Sequence, residues 1–156
     1  MKKINFLVSF LLLFVIGFLC YPSFFETLIS IVDLHQVELA STAISSRFKT
    51  QLVFAIILSG ITPIYYIIQK LTKINFWFDG VYVLIFIIIF GGLTSILRAV
   101  YIFQELELLS RVKFNEGVKM SYHIDSFNFE YYLLLGFVIG AIICFGLLRI
   151  KQKRKD

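Results

Sequence analysis

Residues 81–97, VYVLIFIIIFGGLTSIL, pass without one charged side chain, and the apolar run continues to Phe103 past a lone arginine, Arg98. At ~1.5 Å rise per residue a run of about 20 apolar residues spans the hydrocarbon core of a bilayer. Three further runs of this kind lie at 4–21, 52–68 and 131–150. Together they predict an all-α integral membrane four-helix bundle of antiparallel spans, forming one domain over residues 1–156. Outer loops occupy 22–51 and 104–130, and a basic cytoplasmic tail occupies 151–156. The 59% of hydrophobic residues lies far outside the balance of soluble domains.

Charge settles the orientation. Lys2, Lys3, Lys70, Lys73, Arg149, Lys151, Lys153, Arg154 and Lys155 fall on one side of such a bundle, against only Asp79 and Asp156. The other side carries Arg47, Lys49, Arg111, Lys113 and Lys119 with most of the acids. The positive-inside rule then predicts both termini in the cytoplasm, N-in and C-in. The net charge of +5 comes largely from the tail, directly after a hydrophobic segment, which is the pattern of a lipid-facing flank. The tail lacks interleaved aromatic residues for base stacking, so no nucleic-acid partner is expected.

Local signals refine the spans. The first apolar core is longer than a signal-peptide h-region and has no small-x-small cleavage site after it, so it reads as an uncleaved span. Pro22 is expected to end it. Ser23-Phe24-Phe25-Glu26 has capping-box spacing and predicts a new, short amphipathic helix in the outer interface, with Phe25, Leu28, Ile29 and Val32 on its apolar side. In span two, Pro63 cannot donate to the Ser59 carbonyl, which predicts a mid-membrane kink and a freed carbonyl at Ser59. The alternating run Val118 to Asp125, after Asn115-Glu116-Gly117, is a hairpin signal. Gly91, Ser95 and Ala99 on span three, and Gly136, Gly140 and Cys144 on span four, recur every four residues. Such stripes let helices approach closely and predict packing between these two spans, with a homodimer face on span four as the alternative.

Arg98 is the candidate functional residue, because an ionisable group inside a span is costly and has a reason to be there. Its readings are an ion pair with Glu130, Glu105 or Glu38, or an anchor for an anionic headgroup or small acid. Asp33, His35 and Glu38 in one loop and His123 and Asp125 in the other contain no zinc spacing, and a site would require the two loops to converge. Catalytic, metal and cofactor assignments are therefore none. No carboxylate lies in a span core, which argues against proton-coupled export. Cys20 and Cys144 fall at opposite membrane faces, so no disulfide joins them.

The layout resembles an uncharacterised bacterial family of small four-span membrane proteins, a domain of unknown function. The resemblance rests on Pro22, the amphipathic segment after it, Lys49 followed by Gln51, and Gly91-Gly92 ahead of Arg98. It implies a multi-pass protein of the cytoplasmic (inner) membrane of a bacterium, and it supplies no activity. The expected function is a non-enzymatic accessory or lipid-associated component, in contact with membrane lipid and possessing either a membrane protein partner or a second copy of itself. The alternative is a binder or transporter of a small amphiphile, in a pocket between Arg98 and the Pro63 kink that includes Ser59. A membrane enzyme with His35 or His123 as base is the third class.

Overall fold

The computed structural model describes residues 3–32, 38–40, 44–72, 79–111, 121–123 and 127–153. Its helices are α1 (Lys3–Val32), α2 (Ile44–Ser59), α3 (Ile61–Thr72), α4 (Val81–Arg111) and α5 (Phe129–Lys153). Two three-residue strands, β1 (Glu38–Ala40) and β2 (Ser121–His123), complete the elements. Four stretches are long and apolar enough to cross a membrane: Ile4–Val32, Arg47–Thr72, Val81–Leu108 and Phe129–Lys151. The second is built from α2 and α3 in succession.

α1 does not stop at Pro22. It runs on to Val32 with the proline inside it, and residues 23–32, expected as a separate interfacial helix, are its last turns. Proline at 22 deprives the Phe18 carbonyl of its helical donor, four residues on, and in lipid that oxygen has to be satisfied by another group. Gln51, on α2, supplies it, its Nε2 donating to the Phe18 carbonyl at 2.6 Å. Beyond the proline the Thr27 hydroxyl donates to the Ser23 carbonyl at 2.8 Å. The expected two-sided pattern is present in this extension, with Leu28 and Val32 buried and Glu26 and Ser30 exposed. Its apolar side covers the ends of α4 and α5, in a cluster with Ala99, Ile102, Leu106, Phe127 and Phe129.

The second span breaks at Gly60. The Gly60 N–H is shared between the carbonyls of Ile56 (3.0 Å) and Ile57 (3.1 Å), while the Gly60 carbonyl accepts from Ile64 N at 3.3 Å. Pro63 therefore lies in the first turn of α3, where a helix has N–H groups to spare and a missing one costs least. The Ser59 hydroxyl turns back to the Ile56 carbonyl at 2.7 Å.

α4 and α5 share the most extensive interface, followed by α1 and α2. The larger core cluster gathers Tyr21, Phe54, Ile57, Ile61, Tyr65, Ile68, Val83, Ile87, Leu133, Phe137 and Cys144 from all five helices. The first span is the least buried of the four; Ile4, Leu7, Val8, Leu11, Leu12 and Leu19 all project outward. A soluble monomer does not carry a patch of that extent, whereas in a bilayer the acyl chains cover it.

β1 and β2 pair in parallel, with Glu38 opposite Ser121, Leu39 opposite Tyr122 and Ala40 opposite His123. The strand over 121–123 thus reaches across to the other long loop. The remainder of the expected hairpin, residues 112–120, lies outside the described residues, as do Asp33, His35 and Asp125.

Candidate functional site

The α4–α5 interface is where the small residues act. A Cβ placed on Gly136 would run into the Phe90 carbonyl and the Gly91 Cα, which lies 2.6 Å away, and one on Gly140 would sit 3.1 Å from the Ile87 Cα. These are backbone atoms that cannot step aside. At Gly91 the space is filled by the Phe137 ring and Leu133. Close approach also brings a hydroxyl across: Thr94 Oγ1 is 2.8 Å from the Tyr132 carbonyl on α5 and 2.9 Å from those of Phe90 and Gly91 on its own helix. Ser95, wholly buried, donates to the Gly91 carbonyl at 3.0 Å, and Ala99 is buried one turn further on.

One turn beyond Thr94 on α4, this interface opens into a groove of about 520 Å³ lined by Thr94, Leu97, Arg98, Tyr101, Tyr132 and Leu135. Leu97, Tyr101 and Leu135 are more than half exposed, so the groove faces the surroundings of the bundle, not its core. Arg98 is half-buried within it. Its guanidinium carbon stands 5.5 Å from the Tyr101 ring centre and 5.0 Å from that of Tyr132. Both are cation–π distances, which strengthen where water is scarce. Its Nε donates to the Phe127 carbonyl at a long 3.5 Å, from the turn where Asn128 takes a φ of 53° before α5 begins. Asparagine is among the few residues that tolerate that conformation.

None of these Arg98 contacts is a carboxylate of the described residues. Glu130 is buried in the first turn of α5, where a helix N-terminus favours an anion. Glu105 is exposed on α4, one turn after Tyr101, the same ring that flanks Arg98. Glu38 opens β1. Ser59 is buried in the second span and is not among the described residues lining the groove, which come from α4 and α5. The groove at Arg98 therefore does not extend to Ser59 or to the Pro63 break. No group of three or more metal-binding side chains occurs among them either. The two cysteines are free.

Tyr101 and Tyr132 are site residues that sequence reasoning missed. Tyr101 stands three residues after Arg98, a spacing that shares a helix face and could have found it. Tyr132 comes from another span, and only the α4–α5 packing reveals it.

Four apolar helical spans of membrane-crossing length around a packed core, among the described residues, define a multi-pass membrane protein. No family model, no curated protein and no solved structure matches the chain.

Proposed function

We propose that this chain is a non-enzymatic, lipid-associated membrane protein whose α4–α5 groove holds the phosphate of an anionic headgroup on Arg98. The observation that carries this reading is a guanidinium in an outward-facing groove, between two tyrosines, with no carboxylate among its contacts with the described residues. A charge so placed is costly in lipid unless an anion meets it, and a guanidinium presents a fork of N–H donors that matches phosphate oxygens. Depth agrees. Arg98 lies about 26 Å along α4 from Val81, near the far boundary of a core about 30 Å thick, where phosphates begin. With N-in, C-in topology in the inner membrane of a bacterium, that boundary is the outer leaflet.

The test is native mass spectrometry of the protein extracted gently in its own lipids, comparing wild type with Arg98→Gln. The expected outcome is a discrete anionic phospholipid on the wild type, reduced roughly tenfold in a folded Arg98→Gln protein, as loss of one charge-assisted contact implies. Equal retention by both forms would remove Arg98 from lipid binding. A protein partner riding with both forms, and no lipid, would make the chain an accessory subunit.

A further inference from the structure

A second cleft, of about 450 Å³, lies between α1 and the beginning of α2, and is lined by Tyr21, Pro22, Phe25, Glu26, Ile29, Arg47 and Gln51. Its volume is in the range of small-molecule sites, roughly 300 to 1,000 Å³. What sets it apart from the Arg98 groove is its charge: one carboxylate and one guanidinium line the same space. They form no ion pair with each other, and both side chains are exposed. Gln51 adds a third polar group. Its amide nitrogen is committed to the Phe18 carbonyl at 2.6 Å, so what it chiefly offers a ligand is its amide oxygen. The apolar wall includes Tyr21 and Phe25, stacked with ring centres 5.6 Å apart.

We infer that this cleft takes a zwitterionic phospholipid with a primary amine, of the phosphatidylethanolamine class. Arg47 meets the phosphate, while Glu26 and the Gln51 oxygen accept from the ammonium. The Tyr21 and Phe25 rings line the apolar space beside them, where an aromatic face also favours a cation. The depth fits a headgroup. Glu26 lies about 33 Å along α1 from Ile4, just past a core about 30 Å thick, and Arg47 opens the second span. The unbridged pair of opposite charges selects the ligand class: the glycerol headgroup of an anionic lipid brings no cation to Glu26, and a quaternary amine has no N–H for Glu26 and Gln51 to accept. Pro22 shapes the site twice, by lining it and by drawing Gln51 to the Phe18 carbonyl. This inference is independent of the Arg98 reading, since the two clefts share none of their described lining residues.

The experiment offers delipidated full-length protein an equimolar mixture of dioleoyl phosphatidylethanolamine, phosphatidylcholine and phosphatidylglycerol, and reads retained lipid by native mass spectrometry. Wild type is expected to retain the ethanolamine lipid over the choline lipid by roughly tenfold, the worth of a charge-assisted hydrogen bond. Glu26→Gln, an isosteric change at an exposed position, is expected to collapse that ratio toward one. Arg47→Gln should lower both zwitterionic lipids together, because the phosphate is common to them. Arg98→Gln should leave the ratio as in wild type while reducing the glycerol lipid. A thermal transition recorded for each variant in the same detergent confirms that it is folded. Equal retention of the ethanolamine and choline lipids by wild type, or an unchanged ratio in Glu26→Gln, overturns the assignment. So does retention of the glycerol lipid that depends on Arg47.

Discussion

Gln51 shows how one residue can repair a defect from a distance. The Phe18 carbonyl loses its helical donor because residue 22 is proline, and the Gln51 amide replaces that donor from another helix. Gln51→Leu should therefore strand a carbonyl away from water and lower stability by about 1 to 3 kcal/mol, seen as a lower thermal transition in detergent. Pro22→Ala restores a backbone N–H at that position, so Gln51→Leu should cost much less in the Pro22→Ala background. A double-mutant cycle measures the difference, and additive effects would show that the bond carries no coupling. A one-dimensional reading finds the proline and its missing donor, but not the group that answers the Phe18 carbonyl from 33 residues further along the chain. That is why Pro22 looked like the end of a helix. Local rules count only local partners, and here the compensation is tertiary.

At the scale of elements, the four spans were legible because lipid imposes a length and leaves few alternatives to a helix. What lay beyond sequence reasoning were the joints. Gly60 and Pro63 both signal interruption, and only the shared Gly60 N–H shows that the break falls at the glycine. The amphipathic pattern of residues 23–32 was readable, but its apolar side has two possible covers, lipid or protein. The choice went to protein because α4 and α5 present Ala99, Ile102 and Phe129 at that level. The α4–α5 joint gives a sharp contrast between glycines. Gly136→Ala drives a methyl group into the backbone of α4 and should destabilise by about 1 to 3 kcal/mol, the usual cost of overpacking. Gly92→Ala and Gly146→Ala meet nothing within 4 Å, and should be neutral or slightly stabilising, since alanine is the better helix former by up to about 1 kcal/mol. Thermal melts of the three side by side test this, and equal losses would mean that the close approach at Gly136 is not what holds the helices.

For the whole molecule, the charge distribution and the two clefts make one connected argument. The basic end carries an ion pair, Lys151 Nζ to Asp79 Oδ1 at 2.7 Å, which ties the end of α5 to the residue group preceding α4. Lys151 is more than half exposed, so Asp79→Asn should shift stability by no more than about 1 kcal/mol and mainly at low salt. The value of that end is topological: an excess of lysine and arginine is retained in the cytoplasm. Under the proposed N-in, C-in topology an even number of spans returns the chain to the side it started from, and both clefts, at Glu26 and at Arg98, would belong to the opposite leaflet. Single cysteines test this in a protein whose native Cys20 and Cys144 have been changed to serine. Glu26→Cys should react with a membrane-impermeant maleimide in intact cells, whereas Lys153→Cys should react only after permeabilisation. The reverse pattern would place the basic end outside, against the charge bias. It would also move both headgroup sites to the cytoplasmic leaflet, where the same contacts would meet a different lipid population.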